Sequence, residues 1–196
     1  MNYMQREEEF VSLLKERLDE YRFIHSLNVA KSAVSLAERY GADKEKAYIA
    51  GLLHDVTKNE SKENQLQIMK DNGIILSHTE ENNPKLWHAI SGSVFAEKVL
   101  NVTDGEILGA IRYHTTGKDR MTLLEKVIYI ADYISEERNY PDVDVMRSLS
   151  KESLEKAALY SLKYTLKKLS CDELVIHEDS VKFYNELVIL KSKGLI

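Results

Sequence analysis

The octapeptide Gly51-Leu52-Leu53-His54-Asp55-Val56-Thr57-Lys58 closes an apolar helical pattern with an imidazole and a carboxylate side by side. Upstream, Asp43 is a suitable N-cap, and Ala47, Ala50 and Leu53 follow at helical spacing. His54 comes four residues after Ala50, and Asp55 four after Gly51. Helical residues four apart share a face, so both polar groups are expected to point inward with the apolar ones. Neighbours on a helix diverge by about 100°, which lets such a pair take two adjacent coordination positions on one ion.

Helical periodicity extends from this segment in both directions. Phe10, Leu13, Leu14 and Leu18 mark a first amphipathic helix, and a second runs from about Arg22 to Tyr40 and stops at Gly41. Ser61 caps a fourth, ending at Gly73, and Asn83-Pro84 opens a helix reaching about Leu100. Asp104 starts another to about His114, and Thr122 caps one carrying Leu124, Val127, Ile128, Ala131 and Ile134. A helical turn follows Pro141, and two longer helices close the chain, at about Lys151–Leu169 and Ser180–Lys193. Only Ile74-Ile75-Leu76 and Leu174-Val175-Ile176 could be extended. The expectation is an all-α bundle of about eight to ten helices, forming one domain over residues 1–196.

Other titratable groups fall on the same inward faces. His25 precedes Val29 and Ala33 by four and eight, and His88 precedes Gly92 and Phe95 by four and seven. His114 follows Ile111, Ala110 and Ile107 by three, four and seven, and Asp132 follows Ile128 and Leu124 by four and eight. A lone inward histidine is ordinarily a core residue with a hydrogen-bond partner, and Asp55 could simply pair with Lys58. All of them buried without purpose would cost several kcal/mol of desolvation. A metal ion reverses that cost by turning buried donors and anions into ligands. His25, His54, Asp55 and Asp132 make a nitrogen and oxygen set without thiolate, suited to Fe, Mn, Co, Ni or Zn. Such a set leaves room for water and a substrate oxygen, the requirement of metal-assisted hydrolysis.

Composition narrows the field. The chain has 196 residues, 43% hydrophobic and 30% charged, which is the make-up of a soluble globular protein. One cysteine, Cys171, excludes an internal disulfide and any multi-cysteine zinc site, and it is expected to be half-buried. With 27 basic against 32 acidic residues, the net charge of -5 gives general nucleic-acid binding no support. A small polyanion is compatible if positive charge is concentrated locally. No signal peptide and no membrane-spanning run of about 18 apolar residues is read, so the cytoplasm is the expected location.

The order of the polar residues is similar to that of the HD-domain phosphohydrolase superfamily: His25, His54-Asp55, His88, His114 and Asp132, with 28, 32, 25 and 17 residues between them. Arg22-Phe-Ile-His25-Ser, the octapeptide above, His88-Ala-Ile-Ser-Gly, Ile111-Arg-Tyr-His-Thr-Thr-Gly117 and Tyr129-Ile-Ala-Asp132-Tyr-Ile resemble the YqeK family of bacterial symmetrical diadenosine tetraphosphate hydrolases. The likeness runs from about Arg22 to Asn185, with a motif core at about 22–138. It implies a metal ion, iron by preference, on His25, His54, Asp55 and Asp132. It implies a nucleotide surrounded by Arg22, Lys58, His88, His114, Thr115 and Arg138. His54, Asp55, His88 and His114 would form the catalytic group, with one metal rather than two. Val175-Ile-His-Glu-Asp-Ser180 resembles a family segment near the nucleoside, with Glu178 in place of proline and Ser180 in place of threonine. This brings in His177 as a nucleoside contact.

The resemblance therefore implies metal-dependent hydrolysis of diadenosine tetraphosphate to two ADP. A nucleotidase or nucleoside-triphosphate phosphohydrolase on the same scaffold is the alternative, and a non-catalytic nucleotide-binding module is a third. A dinucleoside polyphosphate is the expected partner, nucleic acid and membrane are not, and apolar residues of the first helix suggest a homodimer.

Overall fold

The computed structural model describes residues 3–196. A 3-10 turn at Tyr3–Arg6 leads into α1 (Glu7–Arg17), α2 (Glu20–Tyr40), α3 (Lys44–Leu53), α4 (Lys62–Asp71) and α5 (His78–Glu81). A second 3-10 turn, Pro84–Leu86, precedes α6 (Trp87–Lys98), α7 (Gly105–Tyr113) and α8 (Leu123–Ile134). The chain closes with α9 (Val143–Glu152), α10 (Leu154–Cys171) and α11 (Glu178–Ser192). Among the described residues there is no strand, as an all-α reading requires. No helix among them is long and apolar enough to cross a membrane.

Local chemistry sets most boundaries. Asp43, Ser61, Asp104 and Thr122 each accept backbone N–H groups at the starts of α3, α4, α7 and α8. Gly41 and Gly73, at φ 77° and 69°, take the left-handed conformation that ends the preceding helices. Helix α2 runs through the middle, against α3 on one side and α8 on another, and α7 packs on α3, α6 and α8. Val29, Ala30, Leu52, Leu53, Ile107, Ile111 and Ile128 are buried where α2, α3, α7 and α8 meet. Gly51 permits a close approach of α3 to α2, because a Cβ there would stand 2.8 Å from the Ala30 Cα.

Several expectations are corrected. Among the described residues eleven α-helices form, against about eight to ten expected, one of them the single turn α5, held by a capping box between Ser77 and Glu80. Asn83 makes no side-chain cap, and Pro84 enters a 3-10 turn, so the long helix begins only at Trp87. The turn after Pro141 grows into α9, and Ser153, in extended backbone, separates it from α10. Cys171 is exposed at the end of α10. Phe10, Leu14 and Leu18 are buried in the protein's own core.

Candidate metal centre

Two histidines enter the centre in the same way. His54 and His114 each stand one residue beyond a helix, α3 and α7 respectively. The last carbonyls of a helix lack intrahelical partners. His54 Nδ1–H donates to the Gly51 carbonyl at 2.7 Å, and His114 Nδ1–H to the Ile111 carbonyl at 2.8 Å, both three residues back. Each ring thus satisfies a helix end with one nitrogen and turns its Nε2 inward, the arrangement a metal-binding imidazole needs. The pair His54-Asp55 therefore lies at the end of α3 and in the turn that follows it, not within the helix.

Asp55 is the hub. Its Oδ1 lies 3.3 Å from His88 Nε2, 3.6 Å from His114 Nε2 and 3.6 Å from Lys58 Nζ. Its Oδ2 accepts from Arg22 Nη1 at 3.1 Å and stands 3.7 Å from His54 Nε2. His25, from α2, reaches His54 Nε2 at 3.2 Å and Asp132 Oδ1 at 3.0 Å with its own Nε2. The other nitrogen of His25 is paired with the Glu137 carboxylate. Glu137 is itself held by the Ser135 hydroxyl at 2.7 Å and the Asn28 amide at 2.8 Å. Arg138 pairs with the Asp132 carboxylate and donates from Nε to the Asp132 carbonyl at 2.8 Å.

Burial and charge pull on these groups in opposite directions. Burial lowers His54 to about 4 and lowers His88 as well, keeping both rings neutral. Burial alone would raise Asp55 and Asp132, but the surrounding imidazoles with Lys58 and Arg138 outweigh it, and both stay ionised. Burial also lowers Lys58, in part against the attraction of Asp55.

Neutral imidazoles and ionised carboxylates are the states in which these side chains bind metal. Ligand atoms of His25, His54 and Asp55 lie within 4.8 Å of one another, as do those of His54, His114 and Asp132, and of Asp55, His88 and His114. Asp55 Oδ1 is buried with no hydrogen-bond partner, which a cation would supply. The residues present therefore fit a divalent ion.

Two cavities adjoin the centre. One of about 310 Å³ is lined by His114, Asp132 and Arg138 together with Tyr133, Tyr140 and Tyr164. The other, of about 380 Å³, has apolar walls from Leu86, Leu174 and Val175 and a polar side from Thr116 and His177. Thr115 and Thr165 line both. Thr115 Oγ1, Thr116 Oγ1 and His177 Nε2 are all buried without a hydrogen-bond partner.

Nine of the residues singled out in the sequence thus meet in one cluster: Arg22, His25, His54, Asp55, Lys58, His88, His114, Asp132 and Arg138. Thr115 borders it, and His177 stands apart at the larger cavity. Glu178, where the related segment has proline, is the first residue of α11, a position proline also favours, so the helix start is kept. Glu137, Asn28 and Thr116 were missed. Asn28 carried a usable signal, since it follows His25 by three on one helix face.

The profile of the HD-domain family matches residues 22–137. The symmetrical bis(5'-nucleosyl)-tetraphosphatase of Bacillus subtilis is 42% identical over 92% of this chain and 97% of its own. The protein of that name from Halalkalibacterium halodurans is 35% identical over 91% and 95%. Among solved structures, a predicted HD superfamily hydrolase involved in NAD metabolism from Clostridium acetobutylicum superposes with a TM-score of 0.91 at 38% identity, covering 93% of this chain and 96% of that one.

Proposed function

Because the chain belongs to the HD-domain family, and within it to the symmetrical bis(5'-nucleosyl)-tetraphosphatases, we propose that it hydrolyses diadenosine tetraphosphate to two molecules of ADP. The observation that carries this reading is the meeting of His25, His54, Asp55 and Asp132 beside a cleft whose buried Thr115, Thr116 and His177 atoms lack partners. His25, His54, Asp55 and Asp132 would hold a divalent ion, iron being the candidate. The resemblance implies iron, and the nitrogen and oxygen donor set is equally compatible with Mn, Co, Ni or Zn. Such an ion supplies Lewis acidity and lowers the pKa of water.

The chain's own groups account for the rest. Arg22, Lys58 and Arg138 bring three cations to the cluster and offset charge as it builds on the phosphates. With a proton on Nε2 when substrate is bound, His88 and His114, whose Nε2 atoms lie 3.3 Å apart beside Asp55, would hydrogen-bond phosphoryl oxygens or protonate the departing ADP. Lys58 Nζ, 2.9 Å from His88 Nε2, orients that ring. The apolar walls of the larger cavity suit a purine, and Thr115, Thr116 and His177 its polar edge and ribose. Residues 1–196 would act as one catalytic unit.

The test is product analysis on purified, metal-loaded protein. Two ADP per dinucleotide is expected, with mononucleotides turned over more slowly; AMP plus ATP would overturn the symmetrical assignment. Elemental analysis of the protein as purified, before any metal is added, decides the ion.

A further inference from the structure

The ring of His177 is committed at one nitrogen and open at the other. Its Nδ1 accepts the Asp179 backbone N–H at 3.1 Å and so caps α11. A ring nitrogen that accepts carries no proton, so the proton of His177 sits on Nε2. That Nε2 is buried without a hydrogen-bond partner, in a side chain that lines the larger cavity.

The nearest carboxylate oxygen is Glu80 Oε1, 3.6 Å away and beyond hydrogen-bond reach. Glu178 and Asp179 are the other charges facing the ring, each at 3.9 Å. Glu80 cannot swing closer. Its Oε2 accepts the Ser77 N–H at 2.8 Å, its Oε1 is paired with the Arg112 guanidinium, and its carbonyl accepts the Trp87 indole N–H at 2.7 Å. The side chain is only 9% exposed, so this charge acts on its neighbour through little water. Two further bonds fix the frame: the Thr79 hydroxyl donates to Glu178 Oε1 at 2.5 Å, and the Ser180 hydroxyl to the Thr116 carbonyl at 2.8 Å.

We propose that Glu80 is a positioning residue of the nucleoside cavity: it holds His177 as an Nε2–H donor for an acceptor atom of a bound nucleoside. The inference rests on the reading that this cavity takes a nucleoside. A buried donor without a partner is costly, and a ligand that brings an acceptor removes the cost, whereas bare phosphate seated at the metal centre leaves it in place. Glu80 thereby makes the cavity discriminate a nucleoside diphosphate from pyrophosphate.

Calorimetric titration of the metal-loaded protein with ADP and with pyrophosphate tests this. Glu80→Gln removes the charge, and His177→Asn removes the ring while keeping a good N-cap for α11. Each should weaken ADP about tenfold and change pyrophosphate by less than about twofold, and the double variant should lose no more than the weaker single one. Equal losses on both ligands, or additive losses in the double variant, would overturn the proposal. Nitrogen chemical shifts of His177 in the unaltered chain give a second measurement independent of any variant, and a proton on Nδ1 would overturn it too. An unaltered chain that binds pyrophosphate but not ADP would instead overturn the nucleoside reading on which the inference stands.

Discussion

Asp55 has the most demanding position in the molecule, because its Oδ1 is buried among two imidazoles and an ammonium without a hydrogen bond. Asp55→Ala should abolish metal retention in elemental analysis and lower turnover by more than the about 100-fold typical of an outer-shell partner. Full metal content in that variant would remove Asp55 from the ligand set. Glu137 is the outer-shell case, since it faces His25 Nδ1 and is held by Ser135 and Asn28. Glu137→Gln should weaken metal binding about 10- to 100-fold, read by metal titration, with the helical circular dichroism retained. The sequence disclosed the inner residues and not this one, for a physical reason. Inward spacing on a helix marks a buried polar group, but Glu137 lies beyond the end of α8, where no periodicity applies, and its partner is 112 positions away.

At the scale of elements, the close contact of α2 and α3 is the feature most open to test. Gly51→Ala places a Cβ against the Ala30 backbone, which cannot yield as a side chain would. Overpacking of about 3 kcal/mol is expected, which for a chain of this size lowers the melting temperature by about 6–12 °C. A melting curve that does not move would mean the helices part freely. A second test concerns the tie between α5 and α7. Burial alone would raise the Glu80 carboxyl, but the Ser77 N–H and Arg112 prevail and hold it below its ordinary value. A depressed folded pKa contributes stability above the unfolded value of about 4.3, and that stability is lost as pH falls through the folded value. The melting temperature of the unaltered chain should therefore exceed that of Glu80→Gln near neutral pH, with the gap closing as acid is added. A gap that widens in acid would reverse the assignment. Caps at Asp43, Ser61, Asp104 and Thr122 were legible because one side chain decides each. The break at Ser153 was not, because residues 143–171 keep a helical pattern across it and only the tertiary turn selects the extended backbone.

For the molecule as a whole, the net charge of -5 conceals a local balance, since Asp55, Asp132 and Glu137 meet three cations at the centre. Arg22, Lys58 and Arg138 converge on two aspartates, so the cleft is not a mirror of the average surface. The fold class and the cluster were readable from inward polar residues and their order. The two cavities were not, because their walls come from segments far apart in sequence, such as Leu86 and Val175. If an ion bridges α2, α3 and α8, its removal should loosen the entire bundle. Chelation should lower the melting temperature and abolish turnover together. Saturation at about 100 times the dissociation constant is worth about 2.7 kcal/mol to the folded state. Loss of turnover with an unchanged melting curve would place the ion outside the helical framework.

The two imidazoles that finish α3 and α7 have a consequence for what can be altered. Their protons are assigned by carbonyls three residues back, so each helix end works as a gauge that sets both the position and the tautomer of its ring. An added or deleted residue in either last turn would rotate the ring away and release the carbonyl at the same stroke. A change of length in the connection between α4 and α5 would leave both gauges intact. Transplanting this centre into another bundle would accordingly call for two helix termini in the right relation, and for little of the intervening chain.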